Sequence, residues 1–189
     1  MAASASATVI PYLDIDFRQG AWHAADNSSS PFTLGNVTVS AQPSGKRFWH
    51  DSVDGFGIRG GGEIDEINSS ERFLVSFLLP EKLAGLWLTD LFGTPDGEDG
   101  EQGTVTLTLE DSSQVVYAFD GNDADQGNGE LFVDFGKDLM VLEALFEASG
   151  TTQGDDYSVA GFDIPEPSAI GLLGLGLLGA GLARRRRRA

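Results

Sequence analysis

Four acidic side chains share one glycine-rich loop, Asp120, Asp123, Asp125 and Glu130. Calcium is bound by about six to eight oxygens from carboxylates and carbonyls, and glycine lets backbone carbonyls turn toward the ion. Two further loops are acidic in the same way: Asp96, Glu98, Asp99 and Glu101 in one, Glu63, Asp65 and Glu66 in the other. None has the EF-hand order of alternating oxygens, a central glycine and a closing glutamate. Gly60-Gly61-Gly62-Glu63-Ile64-Asp65 occurs once and lacks the fourth glycine of a glycine–aspartate β-roll repeat. The loops therefore read either as calcium sites or as solvated acidic turns. A melting temperature that rises with millimolar calcium separates the two.

Catalytic groups are harder to assemble. The two histidines, His23 and His50, each follow a tryptophan, Trp22 and Trp49. His50, Asp51 and Ser52 are consecutive, and consecutive side chains point apart, whereas the members of a triad meet from distant positions. There is no G-x-S-x-G elbow, and no carboxylate pair stands out for glycoside cleavage among so many. The sequence nominates no catalytic residue. It contains no cysteine, which excludes disulfides, thiolate metal sites and a thiol nucleophile. Trp22, Arg47, Phe48 and Trp49 suggest an aromatic platform for sugar rings, although core packing explains each aromatic better when taken singly.

The chain has 189 residues, 12 Lys+Arg and 29 Asp+Glu. Setting aside five arginines at the C-terminus and Glu166 leaves 7 basic against 28 acidic side chains, a charge of −21 for the remainder. Such a surface repels nucleic acid and suits a soluble exported protein or one that meets divalent cations.

The elements that must position these loops are strands. Leu13, Ile15 and Phe17 alternate with aspartates, and Val37-Thr38-Val39 is β-branched. Phe73, Val75, Phe77 and Leu79 line one face of a strand that Pro80 is expected to end, and residues 83–92 give another. Residues 42–62, rich in glycine, read as loop. Val105, Leu107 and Leu109 answer Val115, Tyr117 and Phe119 across a turn at residues 110–113, a hairpin. Leu131, Val133 and Phe135 form a strand. Residues 139–148 fit either period and are assigned to strand, because a lone helix would lack a packing partner. The pattern predicts an all-β, jelly-roll-like β-sandwich over residues 9–164. Residues 1–8 carry Ala3-Ser4-Ala5 and Ala5-Ser6-Ala7, the small-x-small pattern that ends a signal peptide, without the basic and apolar segments that precede one. They read as the remnant of such a signal or as a flexible terminus, with a start upstream expected.

The last 25 residues are of another kind. Pro165, Glu166 and Pro167 come first. Residues 169–183 carry only Ala, Ile, Leu and Gly, and Arg184, Arg185, Arg186, Arg187 and Arg188 follow directly. Five glycines in that run make a poor soluble helix. A run this apolar favours lipid, at the short end of what a single transmembrane helix needs, and a dense arginine cluster stays on the cytoplasmic side.

The order of tripeptide, short Leu/Gly span and terminal arginines resembles the PEP-CTERM sorting signal of Gram-negative bacteria, over residues 165–189. That resemblance implies recognition by exosortase, a membrane-embedded processing enzyme. It also implies export, transient anchoring in the inner membrane, and release to the cell surface or extracellular matrix. The segment Asp54-Gly55-Phe56-Gly57-Ile58, then residues 63–67 and the Phe73 strand, is more loosely similar to sandwich bodies that precede such tails. The expected role is structural or adhesive, without turnover, in association with extracellular polysaccharide such as biofilm or floc matrix, with calcium as the one cofactor suggested. The alternative is a secreted carbohydrate-binding module or carbohydrate-active hydrolase.

Overall fold

The computed structural model describes residues 13–60, 65–68, 70–93, 100–125, 127–149 and 156–165. Glu63, Asp96, Glu98, Asp99, Glu166, Pro167, the apolar run and the arginine cluster lie outside the described residues, as do residues 1–8.

Alternating apolar residues produce ten strands: β1 (Ile15–Asp16), β2 (Phe32–Leu34), β3 (Val37–Gln42), β4 (Arg47–Asp51), β5 (Gly55–Arg59), β6 (Arg72–Thr89), β7 (Gln102–Leu109), β8 (Gln114–Asp120), β9 (Leu131–Ala148) and β10 (Ser158–Asp163). Two short 3₁₀ turns, Gly20–Ala25 and Gly121–Asp123, are the helical content of the described residues. All pairings between strands are antiparallel. They join in one open sheet with the main order β4-β5-β10-β6-β9-β7-β8, not in two separate sheets.

The sandwich-like packing comes from two long, bent strands. β6 and β9 pair along both halves, with register breaks between Ser76 and Glu81 and between Leu83 and Gly85. The first half of β6 pairs with β3, the second half with β10. Extra residues in one strand bend it and increase its twist, so the two halves fold toward each other. Side chains from the two layers then meet. Phe73 of the first half touches Phe56 of β5, with ring centroids 5.5 Å apart, and Phe77 touches Phe162 of β10 at 5.9 Å. Phe17, Phe48, Phe56, Phe73, Phe146 and Phe162 are fully buried in this core.

Two expectations need correction. Pro80 does not end a strand: β6 continues through it. Pro80 falls within the register break, where a missing N–H costs no ladder bond. Residues 42–62 are not mainly loop but hold the β4–β5 hairpin, with Phe48 opposite Ile58 and Trp49 opposite Gly57. Its glycines hid it, and they have a packing reason. A Cβ on Gly57 would lie 1.6 Å from the carbonyl oxygen of Asp65, so the 65–66 segment crosses directly over the strand. A Cβ on Gly55 (φ +101°) would lie 2.2 Å from the Val159 carbonyl oxygen. Residues 139–148 are strand, as expected, and the 110–113 hairpin turn joins β7 to β8.

Candidate functional site

Crossing β5 at Gly57 carries Asp65 and Glu66 to the end of the sandwich where β6 stops and β10 starts. Asp90 follows β6 there, in a left-handed backbone conformation at φ 55°. Asp156 precedes β10 and is buried. Asp54 sits in the β4–β5 turn, where its carbonyl accepts a hydrogen bond from Thr89 Oγ1 at 2.8 Å. Glu101 arrives just before β7, and its carboxylate accepts the backbone N–H of Phe92.

These carboxylates are taken partly out of water and set near one another. Burial, and then the charge of Asp156 and Asp90, pushes Glu66 up to about 9. Glu101 is pushed up to about 8, again by burial first, against the lowering effect of the Phe92 N–H; its hydrogen bond with Asp156 adds to the rise. Asp90 is pushed up to about 7 by burial and by Asp54 and Asp65. Asp54 is also raised, by burial and then Asp51. The chemistry available is proton storage or the attraction of a cation. Among the described residues, however, no group of three or more Asp, Glu or His side chains is assembled to hold a metal ion.

The sequence marked Asp65, Glu66 and Glu101 as acidic but in separate loops. It did not mark Asp54, Asp90 or Asp156 as candidate site residues, because each flanks a strand outside the three acidic loops. The close-approach glycines of β5 were the signal that another segment had to come near.

The loop of Asp120, Asp123, Asp125 and Glu130 is organised differently. Asp120 caps the 3₁₀ turn by accepting Asn122 N–H at 2.8 Å, and its other oxygen accepts Gln102 Nε2 at 2.8 Å. Asp125 accepts Gly127 N–H at 2.9 Å and forms an isolated β-bridge with Glu130. The bridge brings Asp125 and Glu130 together, whereas Asp123 is exposed. Glu130 has one buried carboxylate oxygen without a hydrogen-bond partner, and burial raises its pKa.

The aromatic platform is not assembled. Trp22 and Phe48 are buried in the core, where Trp22 packs edge-on against Phe17 at 5.0 Å. Trp49 lies on the other face of β4, covered by the Arg59 guanidinium at 3.9 Å. Arg47 is exposed and donates to Asn27 Oδ1 at 3.3 Å. Strand alternation explains the split, because neighbouring side chains leave a strand on opposite faces. His50 is buried, its Nε2–H donating to Phe17 O at 2.9 Å. The structure instead offers a polar cleft of about 330 Å³ lined by Gln42, Ser70, Glu71, Arg72 and Glu147. Buried Glu71 is paired there with Lys46 at 2.8 Å.

At the other end of β10 the chain leaves the body through Ile164 and Pro165, the last described residue. Residues 163–188 match the PEP-CTERM protein-sorting motif. The chain thus carries the sorting signal of an exported protein, and the motif implies processing by exosortase. No curated protein and no solved structure matches the chain. No helix among the described residues is long and apolar enough to cross a membrane.

Proposed function

We propose that this protein is delivered by its PEP-CTERM tail to the cell surface or extracellular matrix, where the acidic β-domain serves a structural or adhesive role without turnover. Extracellular polysaccharide is its proposed partner. The observation that carries this reading is the sorting motif, joined to the domain by the last strand with only Ile164 between β10 and Pro165. The tail is proposed to sit in the inner membrane until exosortase acts on it. The apolar run and the arginine cluster support this by the same physics that sets membrane orientation.

Expression of the full chain, behind a signal peptide, in a host with and without exosortase tests delivery. Loss of the arginine end and appearance of the body outside the cell only when exosortase is present is the expected result. An uncut chain in the cytosol overturns it. Co-sedimentation of the exported protein with the host's exopolysaccharide tests the partner.

The second reading, a secreted carbohydrate-binding module or hydrolase, draws on the polar cleft at Gln42, Glu71, Arg72 and Glu147. Release of sugars from polysaccharide by the purified protein favours a hydrolase. Binding without release, lost in Arg72→Ala, favours a module.

Calcium is proposed to stabilise the 120–130 loop through Asp125 and Glu130, supported by the unpartnered Glu130 oxygen. A melting temperature indifferent to millimolar calcium removes it.

A further inference from the structure

The bend of β6 leaves two leucines in water. Leu78 is 82% exposed and Leu79 is 67% exposed. They are held firmly: Asn36 O accepts the N–H of Leu78 at 2.9 Å, and Asn36 Oδ1 accepts the N–H of Leu79 at 3.0 Å. Asn36 Nδ2 in turn donates to Leu79 O at 3.3 Å. Leu34, on β2 beside Asn36, is exposed as well. An apolar pair fixed outward by three hydrogen bonds on one asparagine is a built feature, not a loose loop.

Its position relative to the chain exit gives it a meaning. Phe77, the residue before Leu78, packs on Phe162 at 5.9 Å. Phe162 is three residues before Pro165, about 10 Å of extended chain. β10 runs antiparallel to β6, with Phe162 opposite Leu86 and Asp163 opposite Gly85, so it leads toward the same bend. From Pro165 the apolar run at residue 169 is four residues away, a reach of at most about 14 Å. A membrane span beginning so close to this end would hold this end against the bilayer.

We propose that the bent end of the domain rests on the lipid surface into which its own tail inserts, with Leu78 and Leu79 entering the leaflet beside the anchor. This rests on the reading of residues 169–183 as a membrane span. Two carboxylates at this end have partners, Glu81 with Asn36 Nδ2 at 3.0 Å and Asp138 with Lys82 at 2.6 Å. The leucine pair itself is apolar, so its entry into the leaflet does not call for charged lipid. It keeps the domain seated over the span, and Pro165 at the leaflet's edge, until the tail is cut.

The absence of native cysteine makes the test direct. Leu78→Cys, Leu79→Cys and Val53→Cys variants of the full chain are labelled with an environment-sensitive fluorophore. They are then reconstituted in phosphatidylcholine–phosphatidylethanolamine vesicles containing brominated lipid. Val53, in the β4–β5 turn at the opposite end, is as exposed as Leu79 at 67%, so exposure alone does not separate them. The expected result is a blue shift and several-fold quenching at positions 78 and 79 on reconstitution, with no change at 53. Labels at 78 and 79 as unquenched as that at 53 overturn the proposal. So does a blue shift without bromine quenching, which means cover by protein rather than lipid. A chain that does not float with the vesicles overturns the reading of the tail as a span, and this proposal with it.

Discussion

At the bent end of the sandwich, leucines stand in water; at the far end, carboxylates are withdrawn from it. The six residues of β10 connect the two, about 17 Å apart along the strand. Both arrangements cost stability in an isolated domain, one by exposing apolar surface and the other by desolvating charge. The core between them follows ordinary rules, with aromatic rings from both layers interlocked and buried. The contrast teaches that the unfavourable features of this protein lie at its two poles, which are the places where it can meet something else.

The largest expected effect comes from forcing the carboxylate pole apart. Gly57→Ala puts a methyl group into the Asp65 backbone and should cost at least about 3 kcal/mol, or prevent folding. A urea midpoint close to that of wild type would show that the 65–66 segment moves aside freely, and the pole would then not be a fixed unit.

Next comes pH. Glu66, Glu101 and Asp90 have pKa values raised above their ordinary values by burial first. The folded state therefore binds more protons than the unfolded chain, and stability falls as pH rises. It should be intact below about pH 4.5 and decline up to about pH 9 as Asp90, Glu101 and then Glu66 ionise. A loss of several degrees in Tm between pH 5 and pH 9 is expected, reduced in Glu66→Gln. A Tm that does not fall over that range would mean that the carboxylates are better solvated than their setting implies.

At the bent pole, Asn36→Ala removes the side-chain clamp on Leu79 and should cost about 1–2 kcal/mol without disturbing the core aromatics. Unchanged stability would show that the bend holds itself. The smallest effect belongs to Leu78→Asp with Leu79→Asp. Both side chains are exposed, so thermal stability should change by no more than about 0.5 kcal/mol. A large loss would mean that these leucines serve the fold.

The hairpin of β7 and β8 was legible because Val105, Leu107 and Leu109 alternate cleanly with threonines. Residues 139–148 fitted two periods, and strand won because β6 offered a long partner. The β4–β5 hairpin escaped notice because Gly55 and Gly57 look like loop until the segments that cross them are seen. Trp22 and Phe48 resembled a platform only because Trp49 and Arg47 adjoin Phe48 in sequence. The carboxylate pole was half legible: its glutamates stood in loops marked as acidic, but no local pattern ties Asp54 to Asp90 or Asp156.

The sequence by itself determined that this chain carries the sorting signal of an exported protein, because such a signal is read as a contiguous string: proline-bounded glutamate, apolar run and arginines act through composition and order alone. It also determined the all-β class, since period-two alternation is a property of neighbours. Only the tertiary structure decided that six acidic residues from separate segments would crowd at one pole and two leucines would be clamped outward at the other. Those outcomes depend on where β6 and β9 bend and on which backbones approach glycine, and contacts between residues distant in the chain leave no periodic trace in it.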